Sequence, residues 1–331
     1  ISEYTNLLLG LSPQVDFTDI LAEGGRDDTF EDLALFGELT YHVTDKLSVT
    51  GGARVFRDKT KGTAGIPLPF ASRTTSYFYG INPLDDYLLG GWEPYERTSK
   101  DQIFKANVAY DVSDDLLFYA TWAQGFRPGG ANALPKIDPF GNDNSAILTY
   151  DPDTATNYEI GAKTTLFNGR LRFNAAAFRL DYTDLQVNEL AGLNLVASNA
   201  QAEVEGFEIE TALALTSAIT IGGSYTNLDA RFTSDAISAG GTLPYEGNAL
   251  PRSPESQFTL YADGEWRVGE GTLATRVDYQ WTDDYFFDPS NNPEVLIPSY
   301  GLLSAFASWE SDNGFKVSIY GKNLTDEEYR N

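Results

Sequence analysis

The 331-residue chain has no cysteine, no methionine and one histidine, His42. Without cysteine there is no disulfide framework, thiolate metal site or thiol nucleophile. A single histidine leaves little from which to build a catalytic triad. Long apolar runs are also missing. No stretch approaches the roughly 20 residues of a membrane-spanning helix, so any crossing must be made by strands. Positive charge is scarce: 23 Lys and Arg against 48 Asp and Glu give a net charge of −25, which disfavours nucleic acid as a partner. The acidic excess reads as solvated loop surface. The sequence starts at Ile1 and shows no signal peptide, so it reads as a processed chain or a fragment.

What is present is alternation. Leu273, Thr275, Val277, Tyr279 and Trp281 fall on one face of a strand, and Arg276, Asp278 and Gln280 on the other. Similar rows recur. Leu33, Leu35, Leu39, Tyr41 and Val43 oppose Asp32, Glu38, Thr40 and His42. Phe104, Ala106, Val108 and Tyr110 oppose Lys105, Asn107 and Asp111, and Tyr158, Ile160, Ala162 and Leu166 oppose Glu159 and Lys163. Phe207, Ile209, Leu213 and Leu215 oppose Glu208 and Glu210, while Phe258, Leu260, Trp266 and Val268 oppose Asp263, Glu265 and Arg267. In a membrane barrel the apolar rows meet lipid and the charged rows meet a wet lumen or a polar filling. Isolated ions in a dry core would each cost several kcal/mol. A mean hydropathy of −0.30 fits this, because only alternate residues touch lipid, and the 13% aromatic content suits girdles at both rims.

Six hairpins are predicted: 29–43 with 46–57, 100–111 with 115–126, 155–167 with 170–182, 201–215 with 218–230, 255–268 with 272–283, and 300–310 with 314–322. Their turns are Thr44-Asp45, Ser113-Asp114, Asn168-Gly169, Thr216-Ser217, Gly269-Glu270-Gly271 and Ser311-Asp312-Asn313. Longer segments (58–99, 127–154 and 231–254) join the hairpins. Short turns at one end and long loops at the other are the outer-membrane pattern. At Ala175-Ala176-Ala177 the alternation slips: Leu171 and Phe173 are in one phase, Phe178, Leu180 and Tyr182 in the other. A β-bulge or aromatics turned inward both account for this.

The fold class is therefore all-β, a transmembrane antiparallel barrel. Its polar-row candidates, facing the lumen or a plug, are Glu38, His42, Arg54, Glu159, Lys163, Glu208, Glu210, Asp263, Arg267, Arg276 and Asp278. Loop candidates for ligand contact are Arg127, Asn132, Tyr77, Tyr79, Trp92, Tyr95, Tyr285, Phe286 and Phe287, since aromatic loop tips suit a flat ligand and Arg127 an anion. Rim girdle and loop self-packing are the structural alternatives for these aromatics, and pairing with a neighbouring Asp or a lipopolysaccharide phosphate for Arg127. His42 reads as a polar wall or plug contact before a metal ligand. A Ser–His–acid phospholipase needs both groups on the lipid face, and His42 is on the other. Glu208 with Glu210 reads as lumen lining before a glycosidase pair, and Asp85-Asp86 and Asp283-Asp284 as solvated loop before a cation site. Gly125–Gly130 is not a phosphate-binding loop, as no helix follows it. No cofactor, metal or covalent chemistry is expected.

Four local words carry a family resemblance: Asp153–Val187 (DTATNYEIGAKTTLFNGRLRFNAAAFRLDYTDLQV), Phe118–Asn132 (FYATWAQGFRPGGAN), Asn199–Glu210 (NAQAEVEGFEIE) and Gly321–Tyr329 (GKNLTDEEY). Taken in chain order and with their spacing, they resemble the C-terminal barrel half of TonB-dependent outer-membrane receptors. The resemblance covers roughly 29–331, with 1–28 as a loop remnant. It implies part of a barrel of about 22 strands closed by a plug domain. The plug, about nine earlier strands and the closing strand after Asn323-Leu324-Thr325-Asp326 are expected outside this sequence. An isolated piece would leave two unpaired strand edges in lipid. The implied function is capture of a scarce nutrient, most often a ferric siderophore, at the outer loops. Import to the periplasm is then gated by the plug and the TonB energy-coupling complex. Implied partners are outer-membrane lipid and lipopolysaccharide. The rivals are a passive pore closed by 29–43 pairing with 314–322, a surface protein whose loops bind a protein or lipoprotein, and a soluble β-sandwich.

Overall fold

The computed structural model describes residues 25–65, 93–132, 143–191, 194–238 and 241–330. Twelve long strands form one antiparallel sheet in which every neighbour in sequence is a neighbour in space. They are β1 (Gly25–His42), β2 (Leu47–Gly65), β3 (Glu93–Ser113), β4 (Leu116–Arg127), β5 (Asp153–Leu166) and β6 (Leu171–Ala191). The remainder are β7 (Asn194–Ala214), β8 (Ile219–Phe232), β9 (Ser256–Arg267), β10 (Gly271–Thr282), β11 (Tyr300–Ser311) and β12 (Lys316–Gly321). Among the described residues, β1 pairs only with β2 and β12 only with β11.

The six tight turns fall at or within a residue of where the sequence places them. After β3 the reversal is Asp114-Asp115, with Ser113 paired to Leu116 past a register shift at Asp111. Two turns share a device. Thr44 Oγ1 accepts from the Lys46 and Leu47 amides at 3.2 and 3.0 Å. Thr216 Oγ1 accepts from Ala218 and Ile219 at 3.1 and 3.0 Å. A threonine hydroxyl thus replaces the backbone partner that a two-residue reversal lacks.

Cross-strand register carries the alternation around the sheet. Leu39 faces Gly51, which faces Ala106, which faces Trp122, which faces Tyr158. These rows remain uncovered: Leu33, Leu35 and Leu39 are 75%, 80% and 76% exposed. A water-soluble sandwich buries such rows against a second sheet, so the apolar face of this one needs hydrocarbon. The opposite face carries all eleven polar-row candidates in one continuous register. Two side chains lie flat across glycines there. The Tyr119 ring covers Gly161, so that a Cβ at Gly161 would sit 2.6 Å from the ring, and Tyr261 covers Gly222 in the same way at 2.5 Å. Glycine makes room for the ring, and the ring shields the bare backbone.

Toward the long-connection end the pattern inverts. On β7 the apolar face runs Leu213, Ile209, Phe207 and then turns charged at Glu205 and Glu203. The neighbours at that level are also charged: Arg179 bonds Glu205 at 2.9 Å, Glu203 at 2.5 Å and Asp181 at 2.8 Å, and Arg231 bonds Asp229 at 2.5 Å. The polar face inverts the other way, from Glu210 and Glu208 to Val204 and Ala202, beside Leu180, Tyr182, Ala230 and Phe232. Strands that rise out of lipid into water need charge outside, and they gain stability by burying apolar groups inside. This resolves the slip at Ala175–Ala177. The register is unbroken from Leu171 to Tyr182, so Phe178, Leu180 and Tyr182 turn inward without a bulge there. The irregularity comes later, between Tyr182 and Leu185, where Asp184 has φ +57°.

The same inversion corrects the strand lengths. β2 continues to Gly65, β3 begins at Glu93, β6 runs to Ala191 and β7 begins at Asn194. Much of what alternation alone assigns to long connections is strand, and residues 25–28 belong to β1 rather than to a leading loop. Pairing of β8 with β9 stops at Asn227–Ser256. Beyond it the connecting chain folds back on the free edge of β8. The Leu250 amide donates to Ala230 O, and the Phe232 amide to Asn248 O, both at 2.9 Å.

Candidate functional site

The inverted rows build a cleft at the long-connection end, on the side of the polar face. Val187, Ala200, Ala202, Ala230, Phe232, Ala236, Tyr245 and Leu250 form one buried cluster, with Tyr182, Leu185, Val204 and Leu243 packed against it. The Phe232 and Tyr245 rings lie 5.5 Å apart. This cluster floors a cavity of about 900 Å³ whose other walls are Gln186, Pro251, Arg252, Ser253 and Phe287 to Ser290.

Two connections are stitched into one unit around it. Asn248 Nδ2 donates to Pro289 O at 2.9 Å, and Asn291 accepts from the Ala249 amide at 2.7 Å and donates to Ala249 O at 3.0 Å. The Arg252 amide donates to Phe286 O at 2.8 Å. Arg252 has φ +56°, unusual for a residue with a side chain, and its guanidinium sits 4.5 Å over the Phe287 ring. Among the described residues no carboxylate lies within ion-pair distance of it. The one carboxylate among the described residues lining the cleft, Asp288, is held in its own turn, accepting from Ser290 N at 2.9 Å and Ser290 Oγ at 2.5 Å. Burial raises the pKa of the adjacent Tyr285 phenol and Tyr300 adds to this, while the Arg252 charge pulls the other way.

The predicted loop contacts divide. Phe287 lines the cleft, and Tyr285 and Phe286 pair with Leu296–Ile297 behind it. Arg127 ends β4 and binds Asp153 at 2.7 Å, so its charge is met by a neighbour. Asn132 is buried, donating to Ile147 O at 2.7 Å and Ala197 O at 2.8 Å and accepting from Ala197 N at 2.7 Å. Its side chain braces the connection after β4. Tyr95 is not in a loop: it lies on β3 and its hydroxyl donates to Asp28, because the strands extend past the level where alternation ends. Tyr77, Tyr79 and Trp92 lie outside the described residues, as does Asp85-Asp86.

Below the cleft the polar face is laced with ion pairs. Lys105 reaches Glu38 at 3.0 Å across Gly52, whose missing side chain leaves the path open, and Arg54 binds Asp32 at 3.0 Å. Arg276 joins Asp263 at 3.1 Å and Asp278 at 2.7 Å. Glu159, Lys163, Glu208 and Glu210 converge on a second cavity of about 560 Å³. There Tyr119 donates to Glu159 at 2.7 Å, Lys163 sits 5.5 Å from the Tyr119 ring, and Glu210 binds Arg172 at 3.1 Å. Arg267 grips Asp312 through two 2.8 Å bonds at the short-turn end, and those bonds hold Asp312 below the usual carboxylate range. His42 ends β1 opposite Ser48, and among the described residues no cluster of His, Asp or Glu is arranged to hold a metal.

Sequence reasoning missed Arg252, Gln186, Tyr182 and Tyr245. The phase slip at Ala175–Ala177 was the available signal for Tyr182; Arg252 lies between two prolines with no periodicity to mark it.

The sequence matches the family described as TonB dependent receptor-like, beta-barrel, over residues 4–324. It is 24% identical over 306 residues to the pesticin receptor of Yersinia enterocolitica, covering 91% of this chain and 40% of that protein. It is 26% identical over 324 residues to the catecholate siderophore receptor Fiu of Escherichia coli, covering 92% of this chain and 39% of that one. Among solved structures, the ferric yersiniabactin uptake receptor FyuA from Yersinia pestis superposes with a TM-score of 0.74 at 21% identity, covering 93% of this chain and 43% of FyuA. This chain thus spans about 40% of the length of the curated relatives it matches. It belongs to the TonB-dependent receptor β-barrel family, a family of bacterial outer-membrane receptors rather than enzymes.

Proposed function

We propose that this chain supplies part of the wall and part of the outer mouth of an importer for a scarce nutrient, a ferric siderophore with negatively charged coordinating groups. The observation that carries this reading is the external cleft: apolar and aromatic walls, a volume in the range of small-molecule sites, and one cation, Arg252, without a carboxylate partner among the described residues. The ion-paired face beneath it lines the lumen and meets the plug of the whole receptor. No bond is made or broken. Binding at the mouth is followed by passage when the plug rearranges under drive from the TonB energy-coupling complex. Relatives named for siderophore uptake support the cargo class.

The test uses the complete gene. Iron-starved cells lacking it are expected to lose uptake of one labelled ferric chelate and regain it on complementation. Restoring with the Arg252→Gln receptor weakens binding of that anionic chelate about tenfold, and Arg252→Lys recovers only part of it, because lysine keeps the charge but loses the planar stack on Phe287. Unchanged uptake of every ferric chelate in the deletion strain would refute the reading.

A further inference from the structure

One seam of the sheet opens. β3 and β4 are paired from their short turn up to Lys105 and Ala123, and no farther. Both strands run on, β3 to Glu93 against β2 and β4 to Arg127 against β5. At no other junction among the described residues do both strands run on by more than one residue past their last shared pair. Side chains stand in for the missing rungs. Gln124 Oε1 accepts from the Phe104 amide at 3.3 Å, and Asp101 Oδ1 from the Gln102 amide at 2.7 Å. Such caps satisfy a strand edge that has no neighbouring strand. Higher up, the end of β4 leans inward: Phe126 reaches past β3 to pack at a tilt against Phe56 of β2, ring centroids 4.4 Å apart.

The lower end of this slot lies in the hydrocarbon. Phe104 stands on the lipid-facing row, level with Ala53 and Gly37, and the next outward positions above them, Val55 and Leu35, are still apolar. Behind the slot, on the lumen side, is a cavity of about 610 Å³. Its apolar walls are Ala34, Phe36, Ile103 and Ala123. Two ion pairs border them, Arg54 with Asp32 and Lys105 with Glu38, and leave no net charge. Phe104 and Gln124 line the cavity too, so Phe104 belongs both to it and to the lipid-facing row. Phe56, one inward-facing position above Arg54, and its partner Phe126 lie between the cavity and the mouth. An apolar cavity that continues from hydrocarbon and holds no unpaired charge suits an alkyl chain, not an ion or a sugar. A chain entering sideways never crosses water, so packing against the walls decides its occupancy. We propose that the β3–β4 slot admits the alkyl chain of a single-chain amphiphile from the outer leaflet into this cavity, as a binding site separate from the cleft at the mouth.

The test uses the full-length receptor in lipid vesicles loaded with dodecanoic acid that carries a diazirine at its terminal carbon. The vesicles are washed and irradiated, and the adducts are mapped by peptide mass spectrometry. Adducts are expected at Phe36 on the lumen side as well as at Leu35 and Trp122 on the lipid-facing rows. Ala123→Trp fills the cavity from β4 and is expected to lower the Phe36 adduct about tenfold or more, because a chain forced into an occupied space is excluded. Ile103→Trp fills it from β3 and should do the same. Both variants leave the Leu35 and Trp122 adducts unchanged, and heat-modifiable gel mobility verifies that each is folded. Adducts confined to the lipid-facing rows, as when part of the plug occupies the cavity, overturn the proposal. A Phe36 adduct that survives both tryptophan variants at full yield overturns it as well.

Discussion

Arginine at Val277 is expected to cost about 2–4 kcal/mol of folding stability in a bilayer, while arginine at Gln280 on the same strand changes it by less than about 0.5 kcal/mol. Val277 lies between Leu273 and Trp281, flanked across the strands by Ala262 and Ala305, at the centre of the apolar row. A guanidinium there must desolvate or drag water into the hydrocarbon, and its neighbours offer no partner. Gln280 projects into the wet face beside Thr259, where a charge keeps its hydration. Denaturant titration of the full-length receptor in lipid vesicles separates the two. Equal costs at both positions would mean that the faces are misassigned.

Phe232→Ala is the second large effect. This ring is 2% exposed, packs at a tilt against Tyr245 and forms part of the floor of the cleft. Truncation of a buried aromatic costs about 3–5 kcal/mol. The loss falls on the external end, because Phe232 anchors the returning connection through its backbone and its ring together. The Gly247 and Leu250 amides, which donate to Phe232 O and Ala230 O, should then exchange hydrogen much faster, and ligand binding should fail. Amides of β10 should keep their protection. Phe232→Leu should recover most of both. Uniform loss of protection across the sheet would show that the external core and the membrane wall are not separable units.

These two sites mark how far the sequence could be read. The wall was legible at Val277 because the solvent changes from one face to the other, and strict alternation records that change at every step. The turns were legible because Thr44, Thr216 and Asn168-Gly169 carry their own local chemistry. The external ends were not. At Phe207 and Tyr158 the strands leave lipid, and the meaning of inside and outside reverses within one continuous strand. A rule that follows one phase reads this reversal as loss of strand, so β2, β6 and β7 were cut short and Tyr95 was placed in a loop. The cleft was partly hidden for a different reason. Phe287 declares itself as an aromatic loop tip, whereas Arg252 matters only because Asn248, Ala249 and Asn291 tie two distant connections together. Nothing local in the sequence records that tie.

The reversal along β7 is the centre of this account, and the absence of cysteine from this sequence makes it measurable once any cysteine elsewhere in the receptor is replaced. Single cysteines at Glu203, Glu205, Phe207, Ile209 and Leu213 of the full-length receptor are labelled in intact cells with a membrane-impermeant maleimide and with a lipid-soluble one. The expected result is impermeant labelling at Glu203 and Glu205 and lipid-phase labelling alone from Phe207 through Leu213. Impermeant labelling at Ile209 as strong as at Glu205 would contradict it.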